Sequence, residues 1–279
     1  MLHVVYRVGD MDKTIKFYQD AFGMQLLRQR DIPEGKYSNA FLGYGTESEG
    51  KYFSIELTYN YGVTSYKMGN AFQGMGLSLP DLRSVSKKVG GAGGAVVSGP
   101  EDVEYGPCII PDEEVGKKTI ATVMKVTDPD GYAFEVTERA RRDPVSKVCL
   151  HVSNLEAAVE FYEKALGMTM FYRRSNVPYD PSIVVGLGYG AADDTTILEL
   201  RYEYGNDKLD MGEAYGQIAV GTPDVYKAAD SITSAGYEIA RAPGPVPGIG
   251  TKIVAVRDPD GYKIVLVDQE DLEKELQEG

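Results

Sequence analysis

A few polar side chains interrupt apolar runs in this 279-residue chain. His3 lies in LHVVY, Glu56 in SIELTY, Glu199 in ILELRY and Glu135 in AFEVTE. Burying a carboxylate without a partner costs several kcal/mol. A cation is the obvious partner, because neutral imidazole and carboxylates together suit a divalent transition metal. The alternative is that each glutamate lies on the solvent face of its strand and pairs with a lysine or arginine.

The segment that positions His3 is written twice in the chain. LHVVYRVGDMDKTIKFYQDAFGM covers Leu2–Met24, and VCLHVSNLEAAVEFYEKALGM covers Val148–Met168. Each copy predicts a strand, a turn and an amphipathic helix that ends at a glycine. The motifs GYG and DPDGY also occur once in each half. Two similar domains therefore follow from the repeat.

Each predicted domain divides again, so that the order βαβββ occurs four times. Helices are few relative to strands, and tight turns such as DPDG favour antiparallel hairpins over a wholly parallel sheet. We therefore predict an α+β fold with cupped, mixed sheets. The first domain covers residues 1–139, a linker covers 140–143, and the second domain covers 144–279. An insertion at about 101–118 is rich in Pro, Gly and acidic residues, which predicts a loop.

Composition limits the partners and the compartment. The net charge is −13, from 29 basic and 42 acidic residues, which argues against nucleic acid and anionic membrane surfaces. Two isolated cysteines indicate a reducing compartment without a disulfide framework. No apolar run is long enough to cross a bilayer. We expect the cytoplasm, or an organelle stroma if a leader has been removed.

The segments YRVGDMDKTIKFYQDAFGM, NAFLGYG, IELTYNYGV and DPDGY resemble glyoxalase I (lactoylglutathione lyase) in its fused two-domain form. This family belongs to the vicinal-oxygen-chelate superfamily, and the resemblance covers nearly the whole chain outside the insertion. It implies a small-molecule substrate, a divalent metal (Zn or Ni) and glutathione as co-substrate. The family reaction isomerises the glutathione hemithioacetal of methylglyoxal to S-lactoylglutathione. It also implies a monomer whose two domains form the intramolecular equivalent of a dimer.

In this family, each metal site takes two ligands from the first half of one domain and two from the second half of the other. The resemblance implies that site one uses His3, Glu56 and Gln217. The fourth ligand position holds Val265 where the family has glutamate. Glu56 is then the only ligand-position base at site one.

Site two keeps both family carboxylates, Glu135 and Glu199, which makes them candidate catalytic residues. Its other two ligand positions hold Lys147 and Gly74. An ammonium between two carboxylates supplies positive charge where the metal would have been. We therefore expect metal at one site at most, with Lys147 neutralising the two glutamates or contacting substrate.

Substrate positions show the same asymmetry. The family holds glutathione with an arginine and an asparagine, which match Arg7 and Asn60 at site one. Site two has His151 and Glu203 there, and an acidic side chain repels a glutathione carboxylate. The resemblance therefore indicates glutathione binding at site one.

Three functional hypotheses follow. The first is a glyoxalase I-type isomerase that works at site one. The second is a diverged isomerase of α-hydroxyketones that needs no glutathione and works with or without a metal. The third is a catalytically inactive binding protein with the glyoxalase fold.

Overall fold

The computed structural model describes residues 1–106, 108–110, 116–177, 180–191, 193–206 and 208–278. In this part of the chain it contains seventeen strands and five α-helices. The strands are β1 (His3–Arg7), β2 (Gln25–Ile32), β3 (Tyr37–Gly43), β4 (Ser54–Asn60), β5 (Phe72–Leu79), β6 (Ala95–Tyr105), β7 (Cys108–Ile110), β8 (Thr119–Thr127), β9 (Ala133–Glu138), β10 (Val145–His151), β11 (Thr169–Ser175), β12 (Ser182–Gly188), β13 (Ile197–Glu203), β14 (Tyr215–Thr222), β15 (Ile239–Pro245), β16 (Lys252–Arg257) and β17 (Lys263–Asp268). The helices are α1 (Met11–Phe17), α2 (Leu82–Gly91), α3 (Leu155–Lys164), α4 (Val225–Ser234) and α5 (Gln269–Glu278).

The strands form two mixed sheets, which confirms the predicted α+β class. An eight-stranded sheet has the order β15-β16-β17-β14-β1-β4-β3-β2, and a nine-stranded sheet has the order β6-β8-β9-β5-β10-β13-β12-β11-β7. The first sheet joins the first and last βαβββ modules, and the second joins the two middle ones. Each sheet therefore takes strands from both halves of the chain. The linker predicted at residues 140–143 lies between β9 and β10.

The repeated segment folds as its pattern predicts. Asp10 caps α1 by accepting a hydrogen bond from Lys13 N (3.0 Å), and a π-helical turn then continues to Gly23, whose φ is +73°. In the second copy, Asn154 caps α3 by accepting from Ala157 N (3.1 Å), and Gly167 has a φ of +66°. An asparagine or aspartate N-cap and a left-handed glycine are common helix boundaries.

The two DPDGY turns fasten these helices to the sheets. Asp128 Oδ1 accepts from the backbone N–H of Tyr132 (2.9 Å), and Asp128 Oδ2 accepts from Tyr18 OH (2.7 Å). The second copy repeats the tyrosine contact, with Tyr162 OH donating to Asp258 Oδ2 over 3.0 Å. A buried carboxylate at each turn therefore satisfies local backbone donors and a helix tyrosine together.

The core lies on one face of each sheet. Val4 and Tyr6 are fully buried in a large apolar cluster with α1, α3 and the matching strand residues. Side chains alternate along a strand, so His3, Val5 and Arg7 share the opposite face. We call this opposite face of the eight-stranded sheet cup one. Cup two is the face of the nine-stranded sheet that carries Lys147.

Within the described part of the insertion, residues 101–105 and 108–110 are strand, so the prediction of a loop is wrong for these residues. β6 continues to Tyr105, which pairs with Thr119 in β8, and β7 pairs with β11 through Cys108 and Arg174. Residues 107 and 111–115 of the predicted insertion lie outside the described part of the chain. Gly106, directly after β6, lies against Ser175 at the end of β11. Because β6 and β11 lie on opposite sides of cup two, the end of β6 crosses its mouth.

Helix α5 follows β17 and was not predicted. Leu272 of α5 packs with Ala219, Ala255, Val265 and Val267 in a separate apolar cluster on the cup-one face. Within the described residues, no helix is long and apolar enough to span a membrane.

Candidate active site

The structure places the site-one residues on one face. Val5 aligns with Glu56 on the parallel strand β4 and with Gln217 on the antiparallel strand β14. His3 lies two residues before Val5, so its side chain points the same way. His3 Nε2 lies 3.3 Å from Glu56 Oε2, and the side chains are 11% and 15% exposed. The solvent-face alternative is therefore wrong for Glu56.

Burial controls the charges of this pair. Burial, together with smaller effects of the nearby Arg28 and the chain amino group, lowers the pKa of His3 to about 3. Burial raises the pKa of Glu56 to about 7, against the effect of a hydrogen bond that Asn39 donates. The proximity of His3 and Glu56 does not make an ion pair, because a buried imidazole near the Arg28 guanidinium stays neutral. Neutral imidazole keeps a lone pair for a ligand.

Asn39 orients the carboxylate. Its Nδ2 donates to Glu56 Oε1 over 2.9 Å, which leaves Oε2 directed towards His3. Asn39 Oδ1 is buried and has no hydrogen-bond partner among the described residues. A buried acceptor without a partner is uncommon in proteins.

The fourth ligand position of site one supplies no donor atom. Val265 aligns with Ala219, which in turn aligns with His3, so it reaches the same part of cup one. It is 2% exposed and packs against Leu272 of α5. Helix α5 therefore covers this end of the cup.

Arg28 joins α5 to the His3–Glu56 pair, and the sequence analysis missed it. Its guanidinium donates to Glu47 Oε2 (2.7 Å) and to Glu275 Oε1 of α5 (3.0 Å). It also stacks on the ring of Phe41, 3.5 Å from the centroid. Leu272 and Leu276, four residues apart in EDLEKELQE, were the signal for an amphipathic helix. No local signal could have placed Glu275 beside Arg28.

Cup two contains a lysine where cup one has His3. Lys147 Nζ lies 2.9 Å from Glu135 Oε1 and 2.8 Å from Glu199 Oε1. Burial alone would lower the pKa of Lys147, but Glu199 and Glu135 together raise it well above its usual value. Lys147 in turn holds the pKa of Glu135 below its usual value. Both glutamates thus pair with a lysine, but inside the cup and not on the solvent face.

The glycines of β5 make room for this lysine. Gly76 aligns with Lys147 and with Glu135, and a Cβ on Gly76 would lie 2.4 Å from Lys147 Cγ. Gly74, at the other ligand position, has a φ of +107°. The corresponding strand in cup one has Ala219 and Gln217 at these two positions.

Tyrosines and a cysteine complete the hydrogen bonds of the two glutamates. Tyr172 OH donates to Glu199 Oε2 (2.6 Å), and Cys149 Sγ lies 3.5 Å from Glu199 Oε1. Tyr105, at the end of β6, donates to Glu135 Oε1 over 3.1 Å. The crossing chain thus contributes directly to cup two. Burial raises the pKa of the Cys149 thiol, which makes it a poor nucleophile.

Comparison with known proteins identifies the family. The model of the Glyoxalase/Bleomycin resistance protein/Dioxygenase superfamily matches residues 1–136 and 145–266. The chain belongs to this superfamily. It is 49% identical over 278 residues to a protein of Arabidopsis thaliana named probable lactoylglutathione lyase, chloroplastic, covering 99% of this chain and 75% of that protein.

Two further relatives match over their full lengths. A lactoylglutathione lyase of A. thaliana is 46% identical over 281 residues, covering 99% of this chain and 94% of its own. The crystal structure of glyoxalase I from Zea mays superposes with a TM-score of 0.87 at 45% identity, covering 99% and 95% of the two chains. The resemblance inferred from the sequence motifs is therefore confirmed.

Cup one and cup two of this glyoxalase-superfamily chain differ in whether their side chains fit a metal. Cup one brings together a neutral imidazole and a carboxyl, with the Gln217 amide on an aligned strand, a nitrogen and oxygen donor set that suits a divalent metal. Among the described residues, no group of three or more His, Cys, Asp or Glu side chains could hold a metal. Gln217, which aligns with Val5 on β14, stays the predicted third ligand of cup one. In cup two, the ammonium of Lys147 occupies the space between the carboxylates, and this arrangement does not fit a metal.

The substrate end of cup one is open. A cavity of ≈ 590 Å³ is lined by Arg7, Asn60 and Gln217. The Arg7 guanidinium donates to the backbone carbonyls of Glu213 and Tyr215, and Asn60 Nδ2 donates to Tyr66 OH over 2.8 Å. His3 and Glu56 lie just beyond the floor of this cavity, beside Val5.

The corresponding positions of cup two are closed or acidic. His151 is 1% exposed, and its Nε2 has no hydrogen-bond partner in the described structure. Glu203 accepts from Arg201 over 2.8 Å, and Arg201 also binds Asp180 (2.5 Å). The Arg201 guanidinium near this entrance is therefore already paired with two carboxylates.

Proposed function

We propose that this chain is a glyoxalase I-type isomerase that works in cup one. It converts the hemithioacetal of methylglyoxal and glutathione to S-lactoylglutathione. The observation that carries the proposal is the contact of His3 with Glu56, beside Val5 and next to a cavity that is lined by Arg7, Asn60 and Gln217. The related lactoylglutathione lyases, at 44–49% identity over nearly the whole chain, support the same reaction.

His3, Glu56 and Gln217 would hold the divalent metal. When bound, the metal supplies positive charge against the negative charge that develops on the substrate oxygens. The neutral imidazole of His3 offers a lone pair without first losing a proton. Asn39 fixes one oxygen of Glu56 and so directs the other towards His3.

Glu56 is the proton carrier in this proposal. It takes the proton from the substrate carbon that bears sulfur and oxygen and returns it to the neighbouring carbon. The carbon-bound proton moves to the neighbouring carbon and the hydroxyl proton moves to the neighbouring oxygen. No electrons are exchanged with a second reagent, so the step balances as an isomerisation. Burial raises the pKa of Glu56 to about 7 in the metal-free protein. A bound divalent cation would lower this pKa and favour the ionised carboxylate, which is the form that can accept a proton.

Metal analysis with turnover tests this proposal. The protein is freed of metal, loaded separately with Zn²⁺ or Ni²⁺, and assayed with the preformed hemithioacetal. We expect one equivalent of metal per chain and formation of S-lactoylglutathione. Absence of bound metal together with absence of turnover after loading would overturn it.

A second candidate function is a metal-independent isomerase of α-hydroxyketones in cup two. The observation that favours it is the ammonium of Lys147, 2.8 Å from Glu199 at a cavity of ≈ 420 Å³. This built-in cation would hold a substrate oxygen while Glu199 or Glu135 moves the proton. Turnover of a simple α-hydroxyketone that persists in a chelator and without glutathione would establish it.

We also propose that the protein works as a monomer in a reducing compartment. One chain supplies both sides of each cup, so no second chain is required. Cys108 and Cys149 are free thiols. Sedimentation should give one species of about 30.5 kDa. The name of the A. thaliana relative includes a chloroplast location, and imaging of the tagged full-length precursor would distinguish the plastid stroma from the cytoplasm.

A further inference from the structure

A second cavity of cup one adjoins the His3–Glu56 pair through Asn39. It measures ≈ 720 Å³ and lies between β2, β3, the loop that leads into β16, and helix α5. Asn39 lies two residues before Phe41, which aligns with Glu56, and side chains alternate along a strand. Asn39 and Glu56 therefore point into the same cup. We call this space the Asn39 cavity; among the described residues, it shares no lining residue with the cavity that Arg7 lines.

The Asn39 amide connects this cavity to the proposed proton carrier. Its Nδ2 donates to Glu56 Oε1 over 2.9 Å, and a carboxylate accepts from the nitrogen of an amide, not from its oxygen. The Oδ1 atom is therefore left as an acceptor at the cavity. Asn39 is 9% exposed, and its Oδ1 has no hydrogen-bond partner among the described residues. A buried acceptor without a partner costs free energy, so a ligand that donates a hydrogen bond here is favoured.

The lining of the Asn39 cavity is mostly polar, and it is not cationic. Its charged side chains include three carboxylates and two cations, which are Asp31, Asp271, Glu275, Arg30 and Lys274. Arg30 pairs with Glu275 (2.6 Å), and Lys274 pairs with Glu270 (2.6 Å). Because the carboxylates outnumber the cations, an anionic group is disfavoured. A hydroxyl group both donates and accepts hydrogen bonds, which suits this mixture.

The Asn39 cavity is much larger than the methyl group of the hemithioacetal in the proposed function. A methyl group is about as large as a water molecule, which occupies about 30 Å³ in the liquid. In that proposal the tripeptide occupies the cavity that Arg7 lines, so the substituent of the aldehyde takes the remaining space beside Glu56. A longer substituent with a hydroxyl group would fill this space and supply the donor that Asn39 Oδ1 lacks.

Cup two has an apolar side chain at the position of Asn39. Val184 lies two residues before Gly186, which aligns with Glu199, and so corresponds to Asn39. The Val184 residue is 8% exposed. The shared backbone plan therefore does not require an amide at this position, which favours a role for the Asn39 amide in ligand binding.

We infer that the Asn39 cavity binds the substituent of the α-oxoaldehyde, and that Asn39 selects substituents with a hydroxyl group next to the reacting carbons. The preferred substrates are then the hemithioacetals of neutral, hydroxylated α-oxoaldehydes, and methylglyoxal is a weaker substrate. The hydroxyl group donates to Asn39 Oδ1 and takes no part in the proton transfer. This inference rests on the proposed function, because it names the class of aldehyde that the same site accepts.

Paired turnover measurements on the metal-loaded full chain test the inference. The substrates are the glutathione hemithioacetals of methylglyoxal and of hydroxypyruvaldehyde, which differ by one hydroxyl group. For the wild type we expect a kcat/KM about five- to tenfold higher with hydroxypyruvaldehyde, the effect of one hydrogen bond. This preference should disappear in Asn39→Leu and in Asn39→Ala, and alanine leaves room in the wall if leucine does not fit. Loss of the contact with Glu56 slows both substrates alike, so it cancels in the ratio.

Asn176→Leu is the matched control in cup two. Asn176 is partly buried and donates to Ser182 Oγ over 2.9 Å, and its loss should leave the preference of the wild type unchanged. A wild type that does not prefer hydroxypyruvaldehyde, or an equal preference in the wild type and both Asn39 variants, would overturn the selection. A higher kcat/KM for the hemithioacetal of phenylglyoxal than for that of hydroxypyruvaldehyde would overturn the polar character assigned to the cavity.

Calorimetric binding separates this inference from the proposed function. S-propylglutathione and its dihydroxypropyl analogue form a double-mutant cycle with the wild type and Asn39→Leu. We expect the wild type to bind the hydroxylated ligand more tightly and Asn39→Leu to bind both ligands equally. This coupling without turnover of either hemithioacetal would support the Asn39 cavity and overturn the isomerase activity. Turnover with equal substrate preference in all variants would support the activity and overturn the inference.

Discussion

Lys147 Nζ lies 2.8 Å from Glu199 Oε1 in cup two. The corresponding pair in cup one is His3 and Glu56, with His3 Nε2 3.3 Å from Glu56 Oε2. In both cups, a residue on the first strand of a module meets a glutamate on the parallel neighbouring strand. One pair holds a neutral imidazole beside a carboxyl, and the other holds an ammonium beside two carboxylates. The same backbone plan therefore gives a cup that fits a metal and a cup with a built-in cation.

Glu56→Gln should abolish most turnover. Glutamine keeps the shape of the side chain but cannot accept a proton, so we expect kcat to fall by about 10²–10⁴-fold. Glu135→Gln is the matched control in cup two and should keep kcat within about threefold of the wild type. The measurement is the rate of S-lactoylglutathione formation by the metal-loaded protein. A larger loss in Glu135→Gln would assign turnover to cup two.

Lys147→Met should destabilise the protein strongly. The substitution leaves two buried carboxylates without their cation, and breaking a buried ion pair in this way costs about 3–5 kcal/mol. Urea unfolding measures the loss. Lys164→Met is the control, because Lys164 forms an exposed pair with Glu160 on a helix, and it should leave the unfolding midpoint unchanged. Equal midpoints for the two variants would show that Lys147 does not neutralise Glu135 and Glu199.

Gly76→Ala should displace Lys147. The added Cβ would lie 2.4 Å from Lys147 Cγ, and overpacking of this kind costs about 1–3 kcal/mol. Gly90→Ala in α2 serves as control, because a Cβ there meets nothing within 4 Å. It should stabilise the protein by about 0.5–1 kcal/mol, since alanine favours a helix over glycine. Stabilisation by both substitutions would contradict the close approach of β5 to Lys147.

Glu275→Gln should loosen α5 from cup one. Glu275 accepts from Arg28 (3.0 Å) and Arg30 (2.6 Å) and from Thr251. Loss of these charged hydrogen bonds should lower the free energy of unfolding by about 1–3 kcal/mol. Glu270→Gln on the same helix is the control, because the Glu270 side chain is 78% exposed. This substitution should leave the free energy of unfolding unchanged. Hydrogen exchange of the α5 amides should accelerate in the first variant only.

The pH dependence of stability should reflect Asp128. Burial raises the pKa of Asp128 from 3.8 to about 7, so the folded protein binds a proton that the unfolded chain has released between these pH values. The free energy of unfolding therefore decreases as pH rises through this window, by at most about 1.4 kcal/mol per pH unit for this group. Asp128→Asn removes that contribution. Urea unfolding between pH 4.5 and pH 7.5 measures the free energy of unfolding of both proteins. As pH rises, this free energy should decrease less for Asp128→Asn than for the wild type. A difference between the two proteins that stays constant with pH would contradict the raised pKa.

Local patterns allowed much of the fold to be predicted. The strand, helix and glycine of Leu2–Met24 depend on side-chain periodicity, an Asp10 cap and a left-handed Gly23, all of which act within one turn or a few residues. The repeated DPDGY turn is equally local, because Asp128 binds its own backbone neighbours. The insertion was predicted wrongly, since Pro and Gly mark turns but do not show whether the flanking residues pair with a distant strand. Helix α5 was not predicted.

The sequence by itself also determined which chemical groups are present: His3 in one copy and Lys147 in the other. Tertiary structure decided what these groups do, because strand pairing joins residues more than 200 positions apart, such as Val5 and Gln217. It brought α5 over Val265, placed Glu275 beside Arg28 and placed Gly76, which has no side chain, against Lys147. Burial then set the charges, leaving His3 neutral and Lys147 charged. Neither burial nor the partner of a charge is encoded in any one segment, because both depend on which distant segments pack together.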